Sequence, residues 1–147
     1  MHMKEELQTE LFKKYPEIFK EKDLPMSKTC MCWGIACDDG WYKIIENVCS
    51  KLQAIKNLVG LQVIAKQVKE KYGGLCFYYG CEGNSKDIDK QWIEIVDNIV
   101  SQAENKSYTI CEICGDFGEL CVKGLWYKTL CTEHEKINGY EKSNKEE

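Results

Sequence analysis

Two pairs of potential ligands near the C-terminus have the spacing of a metal site. The first pair is Cys111 and Cys114, with Gly115 directly after it, and the second is Cys131 and His134. A C-x2-C-G knuckle turns both thiolates towards one point, and a C-x2-H pair presents both side chains from the first turn of a helix. Zn²⁺ prefers four tetrahedral nitrogen and sulfur ligands. The pattern therefore predicts one structural Zn²⁺ held by these four residues.

The stretch between the two pairs predicts the shape of this module and leaves the ligand set open. A short hairpin of 119–122 and 125–130 fits there, and knuckle, hairpin and helix in this order form a treble-clef finger. Cys121 is a competing fourth ligand if His134 is free. The alternative without a metal is a set of buried thiols beside a surface histidine, since buried cysteine behaves as a small hydrophobe. Two ligand pairs of matching spacing favour the metal, and four protein ligands favour a structural site over a catalytic one.

The other cysteines permit a second, looser metal site. The chain has 10 cysteines in 147 residues and no apolar export signal at its start, so we expect a cytoplasmic protein with metal-bound or free thiols. Cysteines with C-x-C and C-x4-C spacing could bind a second ion together if the first strand pairs with the predicted hairpin. The cysteines concerned are Cys30, Cys32, Cys37, Cys76 and Cys81.

Residues that could catalyse a reaction are few. His134 is the only histidine after residues 1–2, which we interpret as a cloning remnant. No serine triad, Cys–His pair or glycine-rich phosphate loop can be assembled. Asp38, Asp39 and Glu46 would suit Mg²⁺ in a metal-dependent nuclease or nucleotide hydrolase, but adjacent acids ahead of a helix are more typical of helix caps. We therefore expect a binding protein rather than an enzyme.

The charge of the chain argues against a nucleic-acid-binding regulator. The net charge is −4, and all 20 basic residues are lysine, whereas arginine supplies the commonest specific contacts to guanine. No apolar run approaches the length of a membrane span. The exception to the acidic balance is the segment 51–72, which carries five lysines against Glu70 alone. An anionic partner, such as a host protein or a nucleotide, would be attracted there.

Hydrophobic periodicity predicts an α+β body before the finger. A strand is expected at 29–37, where alternation puts Met31, Trp33 and Ile35 on one face. A helix at 41–58 follows, stopped by Gly60, and its apolar stripe consists of Trp41, Ile45, Val48, Leu52 and Ile55. A hairpin of 61–72 and 75–80 and a helix at 85–106 come next. This β-α-β-β-α order predicts a three-stranded antiparallel sheet under two helices.

Four segments follow from these predictions. Residues 1–26 form a charged arm with a short helix at 5–14, and the fold begins near Ser27. The body spans 27–107, the finger 108–141 and a disordered tail 142–147. No repeat or low-complexity linker separates them.

One face of the hairpin is the predicted binding surface. A two-residue turn at Gly73-Gly74 would place Lys71 opposite Cys76 and Lys69 opposite Tyr78. The same register sends five apolar side chains to the core: Val68, Tyr72, Leu75, Phe77 and Tyr79. A solvated lysine face and tryptophans packed in the core are the alternatives. The candidate ligand-binding residues are Lys69, Lys71, Tyr78, Asp39, Trp41 and Trp33.

Three blocks of the sequence carry a resemblance to a known family. PMSKTCMCWGIACDDGWYKII, VKEKYGGLCFYY and ICEICG…GLWYKTLCTEH resemble a family of small proteins without established activity that is widespread in bacteriophages and prophages. The resemblance extends over nearly the whole chain after Tyr15. Family members commonly have Gly where Asp38 stands and Arg where Cys76 stands, which weakens Cys76 as a site residue. The resemblance implies a protein of the host cytoplasm that binds or sequesters a host defence protein or a signalling nucleotide.

Overall fold

The computed structural model describes residues 2–82 and 90–143, and within them the chain is an α+β protein with four α-helices and two three-stranded sheets. The elements, in chain order, are α1 (Glu5–Lys14), β1 (Ile35–Ala36), α2 (Tyr42–Val59), β2 (Gln62–Lys71), β3 (Gly74–Glu82), α3 (Lys90–Ser107), β4 (Glu119–Lys123), β5 (Trp126–Leu130), α4 (Thr132–Asn138) and β6 (Glu141–Lys142). Short 3₁₀ turns lie at Lys20–Asp23, Met31–Trp33 and Asp39–Trp41.

The first sheet has the order β1-β2-β3 and is mixed, because β1 runs parallel to β2 while β2 and β3 are antiparallel. The expected all-antiparallel sheet is therefore wrong for its first strand. That strand is also much shorter than the predicted 29–37. The alternating pattern predicts that Met31, Trp33 and Ile35 share one face. Met31 and Ile35 are buried, but Trp33 is 61% exposed and the chain turns at Gly34, where φ is +77°.

The β2–β3 hairpin is present, but its register differs by two residues from the prediction. Its turn consists of Tyr72 and Gly73, both with positive φ, so Lys71 pairs with Gly74 and Lys69 with Cys76. A Cβ atom at Gly73 would collide with the Leu120 side chain, so this glycine serves both the turn and the contact with β4. Tyr72 is 71% exposed and does not belong to the core as predicted.

The two longer helices lie over this sheet, α2 against β2 and α3 against β3. The predicted apolar stripe of α2 is confirmed, since Trp41, Ile45, Val48, Leu52 and Ile55 are all buried. Gly60 ends α2 in the left-handed conformation, as expected. The predicted start of the second helix, including Ile88, lies outside the described residues. None of the helices in the described part of the chain combines the length and apolar character needed to cross a membrane.

The N-terminal segment belongs to the body rather than preceding it as a charged arm. The helix α1 forms where it was predicted, but Leu11, Ile18 and Phe19 are completely or almost completely buried in the main core. The main-chain carbonyl of Ile18 also accepts a 2.8 Å hydrogen bond from the Ala65 N–H. The expectation that the fold begins near Ser27 is therefore wrong, because the apolar face of this charged segment covers the core.

The second sheet has the order β5-β4-β6, and all its strands are antiparallel. The predicted finger hairpin is confirmed as β4 and β5, and α4 follows directly. The strand β6 was not predicted. It pairs Lys142 with Cys121, so the ordered module reaches into the segment expected to be a tail. Residues 144–147 of that tail lie outside the described residues.

Candidate metal centre and its junction with the body

The structure brings Cys111, Cys114, Cys131 and His134 together, with all ligand atoms within 4.8 Å of one another. The Sγ atoms of Cys114 and Cys131 are 3.8 Å apart, and Nδ1 of His134 lies 3.7 Å from the Cys111 Sγ and 3.2 Å from the Cys131 Sγ. A tetrahedral ion with metal–sulfur bonds of about 2.3 Å requires sulfur–sulfur distances of about 3.8 Å. The group could therefore hold a metal ion, and the sulfur–sulfur distance between Cys114 and Cys131 matches tetrahedral coordination.

Local backbone geometry positions each ligand pair. In the knuckle, the Gly115 N–H donates to the Cys111 carbonyl (2.9 Å) and the Cys111 N–H donates to the Asp116 carbonyl (2.7 Å). At the other pair, Cys131 is the N-cap of α4, and its Sγ accepts a 3.4 Å hydrogen bond from the His134 N–H. His134 thus comes from the first turn of the helix, as the spacing predicted.

The thiols of the cluster differ in acidity. Burial raises the pKa of Cys114 to about 12. Burial also acts to raise the pKa of Cys131, but hydrogen bonds from the main-chain N–H and the ring of His134 outweigh it and lower that pKa to about 7. Since a metal binds the thiolate form, the lower pKa makes Cys131 better prepared than Cys114 to become a ligand.

The alternative sulfur ligands are not in the cluster. Cys121 is fully buried and its thiol lies 3.2 Å from the Glu119 carbonyl. In residues 2–82 and 90–143 the Cys111 group is the only set of three or more potential ligands close enough to share an ion. The predicted second site is therefore absent from this part of the chain, although it contains all five cysteines proposed for it: Cys30, Cys32, Cys37, Cys76 and Cys81.

The three carboxylates considered for Mg²⁺ are each engaged with a different partner. Asp39 accepts a 2.8 Å hydrogen bond from the Lys4 main-chain N–H, and Glu46 accepts one of 2.7 Å from the Tyr15 hydroxyl. Asp38 lies 3.6 Å from the Lys128 ammonium group. Neither aspartate side chain caps the following helix, so the expected caps are also wrong. The groups that engage these acids come from distant parts of the chain.

The most unusual buried group is Glu112, which lies inside the knuckle between two ligands. Its side chain has no exposed surface, and one carboxylate oxygen accepts a 2.8 Å hydrogen bond from the Lys128 Nζ. The other oxygen accepts a 3.0 Å hydrogen bond from the Asp38 N–H. Burial raises the pKa of Glu112, and the Lys128 ammonium opposes that effect. Both oxygens are thus satisfied, which a buried carboxylate requires.

Further contacts join the finger to the body around this ion pair. The Gly40 N–H donates to the Glu112 carbonyl (2.7 Å), and a Cβ atom at Gly40 would collide with the Cys111 and Glu112 main chain. The Trp41 indole N–H donates to the Ile110 carbonyl at 2.9 Å. The finger is therefore packed onto the body rather than attached by a free linker. Sequence reasoning missed Glu112 because a single acid in a knuckle gives no sequence signal of burial.

The candidate ligand-binding residues separate into exposed and internal ones. Trp41 is fully buried and cannot line a surface. Trp33 is exposed, but it borders a depression beside α1 rather than the hairpin face. Lys69, Lys71 and Tyr78 still share one face of the hairpin, because a register shift of two residues leaves the alternation of side chains unchanged.

Comparison with protein-family models, with curated proteins and with solved structures gives no match for this chain.

Proposed function

We propose that the protein is a zinc-containing binding protein that acts by holding a host component without catalysis. The observation that carries this proposal is the Cys3His group at tetrahedral distances, formed by Cys111, Cys114, Cys131 and His134. Three thiolates and an imidazole are a donor set suited to Zn²⁺, and four protein ligands leave no open position for a reacting water. The same group uses the only histidine after residue 2.

The role of the zinc in this proposal is structural. The order of knuckle, hairpin and ligand-bearing helix supports a treble-clef finger. Zinc would supply binding free energy that holds the knuckle against α4. Since Glu112 and Ile110 next to the ligands contact Asp38 and Trp41, the ordered knuckle also supports the loop that leads into α2.

The open strand face is the proposed contact surface. We define it as Gln67, Lys69 and Lys71 on β2 with Cys76 and Tyr78 on β3. Among the described residues neither Lys69 nor Lys71 forms an ion pair, and the ring of Tyr78 is 43% exposed. A flat face of unpaired lysines beside an aromatic ring suits an acidic patch on a host protein. The host setting rests on the resemblance of the three sequence blocks to phage proteins.

The test is a double charge reversal on this face. We expect Lys69→Glu/Lys71→Glu to fold normally and to bind the partner captured from host lysate at least about tenfold more weakly, a loss of about 1.4 kcal/mol. Binding by the parent should also weaken as salt rises, because exposed charges are screened. Affinity measured after identification of the partner by mass spectrometry provides the readout.

The matched control is Lys51→Glu/Lys106→Glu, which makes the same charge change on exposed lysines elsewhere. This control should keep its affinity for the protein partner. If the Lys69/Lys71 variant binds as tightly as the parent, the open strand face is not the contact surface. The finger then becomes the candidate, since residues 107–140 carry five acids against three lysines.

A metal-dependent nuclease or nucleotide hydrolase is the competing function. Incubation with nucleic acids and nucleotides in Mg²⁺ or Mn²⁺ distinguishes the two. We expect no turnover, since the carboxylates of Asp38, Asp39 and Glu46 are held apart by other partners. Turnover that disappears in Asp39→Ala would contradict the binding function. A DNA-reading regulator is disfavoured by the absence of arginine and the net negative charge.

A further inference from the structure

A cleft of about 780 Å³ lies between α2, α3 and the knuckle, separate from the open strand face. One wall carries Lys43, Asn47 and Lys51, which follow each other at intervals of four residues along α2. The facing wall carries Gln102 and Lys106 of α3, and the end is closed by the knuckle residues 114–116. Apolar side chains also line the cleft: Ile44, Val48, Ile99, Ala103 and Ile110.

The polar side chains on the two helix walls are three lysines and two amides, and all five can donate hydrogen bonds. Lys43, Lys51 and Lys106 are exposed, and within the described residues none of them forms an ion pair. The acids of the same helices that could neutralise them have other partners. Glu46 is bonded to the Tyr15 hydroxyl, and Glu104 accepts a 2.8 Å hydrogen bond from the Phe77 N–H.

Two acids also border the cleft, Asp39 and Asp116, and both lie at its knuckle end. Asp39 is held by the main-chain N–H and the ammonium group of Lys4. The lining as a whole therefore carries three lysines against two aspartates, an excess of one positive charge, although the chain has a net charge of −4. A concave site between two walls that carry lysines raises the local concentration of anions.

We infer that this cleft binds a nucleoside phosphate. The three ammonium groups and the two amides would bind phosphate oxygens, which accept charge-assisted hydrogen bonds from lysine. The apolar side chains of the cleft would contact the base. A volume of about 780 Å³ lies within the range of small-molecule sites, about 300–1,000 Å³. The end wall is held in place by the hydrogen bond from the Gly40 N–H to the Glu112 carbonyl.

The experiment uses the full zinc-loaded chain and defined probes. Calorimetric titration with each of the four ribonucleoside triphosphates should show saturable binding of at least one of them, with one molecule per chain. Inorganic tripolyphosphate should bind at least about tenfold more weakly than that nucleotide, because it lacks a base. Lys51→Gln/Lys106→Gln should weaken nucleotide binding by at least about tenfold, since each charge-assisted hydrogen bond contributes more than a neutral one.

The control is Lys13→Gln/Lys28→Gln, which removes two exposed lysine charges outside both the cleft and the open strand face and should leave nucleotide affinity unchanged. The absence of saturable binding by all four nucleotides would overturn the inference, as would undiminished binding by the Lys51/Lys106 variant. Equal affinity for tripolyphosphate would show that the base is not recognised and would overturn the nucleoside assignment. None of these results bears on the binding of a host protein by the open strand face, which is tested with a different variant and ligand.

Discussion

Replacing Cys131 by serine should release the bound metal and lower the melting temperature by at least about 10 °C. Structural zinc contributes about 10–16 kcal/mol of binding free energy in isolated finger peptides. A loss of only a third of that, about 3–5 kcal/mol, shifts the melting temperature of a domain of this size by about 10 °C or more. Elemental analysis of the purified protein and thermal unfolding followed by circular dichroism measure both effects.

The matched control for this change is Cys30→Ser, since Cys30 is an exposed thiol outside the cluster. It should retain one zinc ion per chain and an unchanged melting temperature. His134→Ala should lose zinc as well, whereas Cys121→Ser should keep it, because the Cys121 thiol faces the Glu119 carbonyl and not the cluster. Purified parent protein without zinc, or a Cys131→Ser variant of unchanged stability, would refute the structural zinc site.

Removing the Lys128 ammonium should destabilise the protein by about 3–5 kcal/mol, because it leaves the buried Glu112 carboxylate without its charged partner. The variant Lys128→Met keeps an unbranched apolar stem in place of the lysine stem. Glu112→Gln should be destabilising too, and the double variant should lose less than the sum of the two single changes. Denaturant unfolding of the four proteins in the presence of zinc gives the coupling energy.

An exposed ion pair provides the comparison for this double-mutant cycle. Lys14 and Glu10 are 3.5 Å apart on α1, and both side chains are about half exposed. We expect a coupling energy of about 0.3–0.5 kcal/mol for Lys14→Met/Glu10→Gln, as is usual for exposed helix pairs. A coupling energy of similar size for Glu112 and Lys128 would mean that water screens the pair and that it does not hold the finger to the body.

These two predictions concern one junction. The ligands Cys111 and Cys114 flank Glu112, and the Glu112 carboxylate bonds to the Asp38 N–H of the body. Metal binding at the knuckle and packing at the junction therefore stabilise each other. We expect loss of zinc to affect the body around α2 as well as the finger.

Much of the local structure could be predicted from the sequence. The helix α2, its apolar stripe and its end at Gly60 follow from spacing that any amphipathic helix shows. The Cys3His group was also predictable, since each ligand pair is only three residues apart and its geometry is set by a single turn. The faces of the strand residues were correct as well, except for Tyr72 in the turn, because the alternation of side chains along a strand is unchanged by an even shift in register.

The features that were not predictable depend on contacts between distant segments. The hairpin turn consists of Tyr72 and Gly73, and Gly73 packs against Leu120 of the finger, a contact that no local sequence pattern predicts. The charged N-terminal segment contributes Leu11 and Phe19 to the core because the rest of the fold offers it an apolar surface. The first strand is shorter than predicted for the same kind of reason, because the Trp33 side chain does not pack in the interior.

The sequence by itself predicted the helices, the hairpin after the knuckle and the two ligand-type pairs of the Cys3His group, because these arise from interactions between residues close together in the chain. Only the tertiary structure decided that Glu112 is buried against Lys128 and Asp38, that Trp41 belongs to the core and that three lysines of α2 and α3 line one cleft. The energy of a buried charge or of a row of lysines depends on what the fold brings next to it. That proximity is a property of the packed chain and is not encoded in any single segment.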